Sequence, residues 1–479
     1  MNDNNIKNAF KAGIWYTIST LLVKSISIIS TPLYTRLMST ADYGISATFN
    51  TWYALLFIIC SLNVGYSIGR AKIDFKDDFD NYIGALQIIC ACITSILFGI
   101  IFLFFPQMKS LIGLDKTAVI CLYIYVLFGT VVSIYQGKYR FLYQYKQNIV
   151  ISVFISIATV IFSLLFIVIL PQKYMGKIVG TTLPMLILGI MFWIVAIKNK
   201  TLSIKKEYYT YALAFSIPLI VHSLSIYVLG QSDRLMIKYF CGDHFVGIYS
   251  LIYQYAILIT LITNSINQAW NPWFHDNYAL KNYELIKEKV IPLIAFGCYI
   301  GIGCIAVAPE AIKILGGEQY MSGLQAVLPI ALGVVIEFVY TQYVIIEMHL
   351  KKTTYVSIGT VVAAIINVLL NYLCIPRFGY IAAAYTTLVS YFMLLMMHHF
   401  ISRKVLGVHI YKDKLIYAML TITVLTGIIL SNLYYHIFIR YIIIVGISVV
   451  FLVYNKEFII DKITQTVILA SKPSTPNSG

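Results

Sequence analysis

Charge is what this chain has least of. Only 11% of its 479 residues are Asp, Glu, Lys or Arg, against 59% hydrophobic ones, where a soluble domain carries about 25% charged residues. A soluble fold of this length would have too little charge to cover its surface, so composition and a mean hydropathy of +0.82 point to lipid as the outer solvent. Catalytic signatures are missing too. There is no HExxH, no Walker A loop and no GxSxG, so direct nucleotide coupling and the corresponding hydrolases have no support. The eight cysteines form no CxxC pair and fall mostly in apolar runs; they read as small core residues, with no metal site or disulfide frame. Long loops are lacking as well, the longest join between the apolar runs given below being 21 residues, 269–289. That leaves no room for a soluble catalytic domain, and the chain reads as a non-enzyme that needs no cofactor.

What the sequence has is apolar runs. With about 20 residues needed to cross the hydrocarbon, spans fall near 13–30, 44–64, 82–105, 117–136, 148–170, 177–197, 209–231, 245–268, 290–308, 324–346, 354–374, 380–401, 415–431 and 436–454. The expected fold is therefore an all-α membrane protein of about fourteen transmembrane helices. Of 35 basic residues, 24 lie on the side that receives both termini and 10 on the other, with Lys24 inside the first span. The positive-inside rule then makes both termini cytoplasmic. It also explains the net charge of +15 by anionic lipid, without nucleic acid. Beyond the last span, Lys456–Ala470 carries Ile460, Ile463 and Val467 on one helical face, as in a segment lying on the inner leaflet.

A repeat organises the spans. Shifted by 205 residues, Lys146 falls on Lys351, Ser152 on Ser357, Ala158 on Ala363, Pro171 on Pro376, and Thr181-Thr182-Leu183 on Thr386-Thr387-Leu388, ten matches in 38 positions. Arg36-Leu37-Met38 before Gly44 likewise parallels Arg234-Leu235-Met236 before Gly247. Six spans separate the copies, so both halves share one orientation about an axis along the membrane normal. The expected organisation is an N-lobe of spans 1–6 (residues 1–206), a C-lobe of spans 7–12 (207–404), spans 13–14 (405–455) and a cytoplasmic tail (456–479). Two like-oriented lobes around a cavity suit alternating access.

Pro32-Leu33-Tyr34-Thr35-Arg36-Leu37-Met38 with Asp42-Tyr43-Gly44, and Pro218 with Ser232-Asp233-Arg234-Leu235-Met236 and Val246-Gly247-Ile248-Tyr249-Ser250, resemble the polysaccharide flippases. These belong to the exporter superfamily that also holds multidrug extruders and lipid II flippases. The resemblance implies transport of an undecaprenyl-diphosphate-linked oligosaccharide, the repeat unit of an O-antigen or capsule, from the cytoplasmic to the outer leaflet of the cell inner membrane, or of the plasma membrane in a single-membrane cell. It also implies a monomer in the lipid bilayer, working beside polysaccharide polymerase machinery and coupled to an H+ or Na+ gradient or to downstream consumption of the product. The alternatives are an ion-coupled multidrug exporter of the same superfamily and an integral-membrane polysaccharide polymerase or ligase.

Such a substrate calls for a hydrated cationic cavity. Lys24, about 16 Å into the first span at 1.5 Å per residue, is a cavity cation or a snorkelling lysine. Arg36 and Arg234 stand at matching outer ends, as cavity rim and gate or as headgroup contacts. Asp233 is a candidate gate, pairing with a basic residue of the other lobe, or a plain exposed acid. Glu337, in mid-span, is a candidate proton or cation site or a structural hydrogen-bonding group to a neighbouring helix, and His222 a cavity donor or a packing residue. Lys138 and Arg140 line the cytoplasmic mouth or simply obey the positive-inside rule. Glu347 reads as interfacial, and Trp270, Trp273 and Phe274 as an interfacial belt.

Overall fold

A computed structural model describes residues 3–454. The tail expected at 456–479, with its amphipathic segment, lies outside the described residues. In chain order the helices are α1 (Asp3–Leu37), α2 (Thr40–Ser61), α3 (Ile68–Asp74), α4 (Phe79–Leu103), α5 (Phe105–Ile112), α6 (Lys116–Phe141), α7 (Tyr145–Ile169), α8 (Lys173–Lys198), α9 (Lys206–Cys241), α10 (Asp243–Ala279), α11 (Tyr283–Ala306), α12 (Ala308–Gly316), α13 (Leu324–His349), α14 (Thr353–Phe378), α15 (Ile381–Phe400), α16 (Asp413–Asn432) and α17 (Ile437–Tyr454). A 3-10 segment, Glu318–Gly323, precedes α13, and a π-helical turn, Ile401–Val405, extends α15.

The all-helical fold agrees with the sequence, and each of the fourteen expected runs lies on a helix, but not all of those helices are long and apolar enough to count as spans. Among the described residues, eleven helices are long and apolar enough to cross a membrane, and α9 adds a twelfth if it is one span bent by 45° between Ile217 and Leu219. The bend falls at Pro218, which has no amide proton for the helical ladder. α17 is a shorter apolar helix.

Two compact units account for the contacts. Unit 1 comprises Met1–Gln254, Ile312–Gly323 and Ser357–Ser390; unit 2 comprises Tyr255–Ala311, Leu324–Val356 and Tyr391–Gly479. This partition differs from the expected boundary at 206/207, because α9 packs against α2 and α4 and so belongs with unit 1. The core of unit 1 includes Tyr82, Tyr135 and Phe192, with Tyr135 and Phe192 stacked at a centroid separation of 4.1 Å. A second core cluster surrounds Phe49, Tyr125 and Val126. In unit 2, α13 is the most enclosed helix: 83% of its apolar window is buried, against 17% for α7. Its polar side chains are therefore shielded from lipid by protein.

Candidate functional site: a cation stripe, a glycine crossing and a buried aspartate

The short loop before α2 fixes the first feature. Ser39 caps the helix, its hydroxyl accepting from the Asp42 amide at 3.0 Å, while Asp42 accepts from the Ser39 amide at 3.4 Å. This capping box sets where α2 begins and places Gly44 one turn in. On the other side, Gly242, with φ +91°, turns the chain from α9 into α10 in a conformation that favours glycine. Gly247 then lies against Gly44. A Cβ built on Gly44 would stand 1.9 Å from the Asp243 carbonyl oxygen, and one on Gly247 would stand 1.9 Å from that of Thr40. The two repeated glycines of the sequence are thus the closest approach of α2 and α10. Thr40 and His244 share a hydrogen bond of 2.5 Å beside them. Further contacts join α2 and the turn after it to α9: the Tyr227 hydroxyl donates to the Thr51 carbonyl, and Asn63, just past α2, donates to Ser223 at 2.9 Å.

α1 contributes a polar stripe. Ser27 accepts a hydrogen bond from Gln254 of α10 at 3.2 Å. Thr35 donates to the Leu315 carbonyl at 2.6 Å and its own carbonyl accepts from Gln319 at 2.8 Å. Lys24 precedes Ser27, Thr31 and Thr35 by three, seven and eleven residues, which puts all four on one helical face. That face is turned toward α10 and the Ile312–Gly323 segment. Lys24 is half-buried, and among the described residues it makes no ion pair or hydrogen bond.

Arg36 and Arg234 do not occupy matching environments. Arg36 is exposed in the last turn of α1. Arg234 is buried, its guanidinium 4.7 Å from the ring centroid of Tyr253 and hydrogen-bonded to Gln231. Asp233 is fully buried and its partners are neutral. Tyr249 donates to Oδ2 at 2.5 Å, Thr387 to Oδ2 at 2.8 Å and Asn371 to Oδ1 at 2.7 Å. Asn367 donates to Thr387 at 3.1 Å and accepts from Asn371 at 3.1 Å; Thr386 donates to Asn371. The expected pairing of Asp233 with a basic residue of the other lobe is absent from this arrangement, since α10, α14 and α15 supply its donors.

The repeat sharpens this observation. Thr386 and Thr387 match Thr181 and Thr182, but Asn367 and Asn371 match Phe162 and Phe166, and Asp233 precedes Arg234 where Thr35 precedes Arg36. One copy of the repeat therefore carries a carboxylate ringed by amides and hydroxyls, and the other copy has apolar side chains at the corresponding α7 positions. The scaffold does not require the polar set.

The remaining candidates are separate. His222 is half-buried on α9, its Nδ1 enclosed and without a hydrogen-bond partner among the described residues. Glu337 is half-buried on α13 and makes no ion pair or hydrogen bond among the described residues. Lys138 is ion-paired to Asp80 at 2.7 Å, while Arg140 is exposed. Two expectations are corrected. Glu347 is not interfacial: it is fully buried against His398. Trp270 and Phe274 are buried as well, packed with Trp273, Tyr278 and His349.

Lys177 was counted in the sequence only as an outer-side basic residue. The structure sets it one turn inside α8, its ammonium 3.9 Å from the Tyr43 ring centroid and 4.8 Å from that of Tyr34. Two aromatic faces thus hold this cation, with no acid among the described residues opposite it. The usable signal was its place within an apolar run.

The profile of the polysaccharide biosynthesis protein family matches residues 9–278. Lsg locus putative protein 1 of Haemophilus influenzae is 22% identical over 292 residues, 59% of this chain and 69% of that protein. An uncharacterised membrane protein of Methanocaldococcus jannaschii is 22% identical over 409 residues, 79% of this chain and 94% of that one. Among solved structures, the lipid II flippase MurJ in an inward closed conformation superposes with a TM-score of 0.65 at 13% identity, over 90% of this chain and 100% of that chain. An inward-facing multidrug transporter of the MATE family gives 0.63 at 14% identity, over 82% and 98%. At such identities the structures establish a shared fold.

Proposed function

For this chain, which belongs to the polysaccharide biosynthesis protein family, we propose the task of flipping a polyprenyl-diphosphate-linked oligosaccharide, an O-antigen or capsule repeat unit, from the cytoplasmic to the outer leaflet. The family match and the fold shared with the lipid II flippase and the multidrug extruders support the coarser part of this reading, a membrane transporter. Lys24 carries the finer part. A lysine deep in a span is costly unless something compensates it, and Lys24 has no acidic partner among the described residues. An anionic diphosphate is a fitting counter-ion, and a polar stripe beside the lysine suits the glycan. The polyprenyl tail stays in lipid. A cationic drug would be repelled by the same lysine, which weighs against the multidrug alternative.

Alternating access in this proposal turns on the Gly44–Gly247 crossing. With both termini cytoplasmic, the crossing lies at the outer side and must separate for release. The Asp233 cluster is the proposed coupling site. Its oxygens come from carboxylate, amide and hydroxyl groups, the donor set that suits a hard cation such as Na+, and a carboxylate equally accepts H+.

The test is a deletion in the source cell, with surface polysaccharide and inner-leaflet lipid-linked units measured separately. Loss of surface polymer with complete units held inside supports flipping. Complete but unpolymerised units on the outer leaflet indicate a polymerase. Unchanged polysaccharide with raised drug sensitivity indicates a drug exporter.

A further inference from the structure

Of the ion pairs that the flipping mechanism leaves unused, Glu347–His398 is the most deeply enclosed among the described residues. Glu347, near the end of α13, and His398, near the end of α15, are both fully buried, at 0% and 1% side-chain exposure, with Nδ1 to Oε1 2.8 Å apart. The second carboxylate oxygen of Glu347, Oε2, is buried and has no hydrogen-bond partner among the described residues. Tyr340 covers the imidazole, with ring planes 19° apart and centroids 5.7 Å apart, and Tyr391 stacks on Tyr340. The chain continues from His398 into a π-helical turn, a local widening of a helix that often accompanies function.

Charges nearby are committed elsewhere. His399 is held by Asp413 at 3.3 Å and by the Tyr417 hydroxyl. Arg403 pairs with the same Asp413, which also accepts from Tyr343 at 2.9 Å. His349, two residues beyond Glu347, stacks on His275 of α10, Nδ1 to Nδ1 2.8 Å. Glu337, ten residues before Glu347 on α13, is the one other carboxylate of that helix. No second acid or free base faces the pair among the described residues.

From this geometry we infer that Glu347 and His398 form a proton-binding site that takes up and releases one proton as its end of unit 2 opens and closes. With one proton held between Oε1 and Nδ1 the pair is neutral and tolerates burial. A second proton goes to the carboxylate, where Oε2 is the vacant acceptor, and leaves the imidazole protonated as well; the site then carries +1. A buried charge without a counter-charge is strongly disfavoured, so uptake requires water to reach the pair, and reburial expels the proton. A mere brace between helices would gain little from an ionisable pair, because apolar residues of similar volume serve as well or better.

The test is a pH-difference infrared measurement on the full chain in lipid bilayers, with no substrate present, so its result stands whether or not flipping is the function. The pH-difference spectrum is expected to hold, on the background from the chain's other Asp and Glu side chains, a carboxylic-acid band that is kept in E337Q and missing from E347Q. In H398Q, which keeps the carboxyl, its midpoint should move by more than about one pH unit. The double variant E347Q/H398Q retains a hydrogen bond and should keep thermal stability while losing the band. A band unaffected by E347Q, or a midpoint unmoved in H398Q, overturns the proposal.

Discussion

Gly44 and Gly247 touch where α2 crosses α10, each standing where a methyl group would meet the other helix's backbone at 1.9 Å. Backbone offers no rotamer to move aside, so the crossing either keeps two glycines or comes apart. G44A or G247A should cost at least the ~1–3 kcal/mol of an overpacked core. The variants should also increase the reactivity of a cysteine placed at Arg36 toward a membrane-impermeant thiol reagent. Unchanged melting temperature and labelling would show that the crossing is loose.

Asp233 should matter to stability and to coupling separately. D233A orphans the donors of Tyr249, Asn371 and Thr387, each costing about 1–3 kcal/mol when buried, and should lower the melting temperature by many degrees. D233N keeps shape and most hydrogen bonds; it should melt near wild type yet lose any dependence of transport on Na+ or pH. Thermal melting and ion-gradient transport assays check the two effects.

These two sites show how far the sequence reached. The helices were legible because lipid demands unbroken apolar runs, and each expected run lies on a helix. Gly44 and Gly247 were visible as a repeat, but that they meet each other was not. Asp233 was noticed, yet its partners Asn371 and Thr387 lie 138 and 154 residues away, and no local pattern announces them. The comparison of the two repeats, asparagines in one and phenylalanines in the other, was the available hint. Glu347 was misread because a charge near a span's end looks interfacial until the helices around it are known.

Arg440 illustrates that point. In the first turn of α17, it is 1% exposed and paired with Glu310, and it also donates to the Ala306 carbonyl at 2.6 Å. Removing one partner of a buried pair leaves a stranded charge, so E310A should destabilise by about 3–5 kcal/mol. Replacing both, as E310M/R440M, should recover most of that loss in a denaturation assay.

Outside the spans, Asp78 should shape the acid limb of stability. Hydrogen bonds from Lys205, Tyr208 and Asn81 hold its carboxyl down at about 2, below the ordinary aspartate value of about 3.9. A carboxyl lowered by folding contributes fully above its unfolded value, and that contribution is lost as pH falls from about 3.9 toward the folded value. D78N should therefore flatten the pH dependence of melting in that window and leave its slope at neutral pH unchanged.

The central claim rests on Lys24, and flipping in proteoliposomes tests it most directly. Purified wild type, K24R and K24A would be reconstituted with a lipid-linked oligosaccharide diphosphate, and its movement between leaflets followed by accessibility to an added glycosidase. Rapid flipping by wild type, substantial retention in K24R, and a loss of tenfold or more in K24A, about 1.4 kcal/mol or more of stabilisation, is the expected result. Equal flipping by wild type and K24A, with both proteins folded, would contradict the cationic cavity.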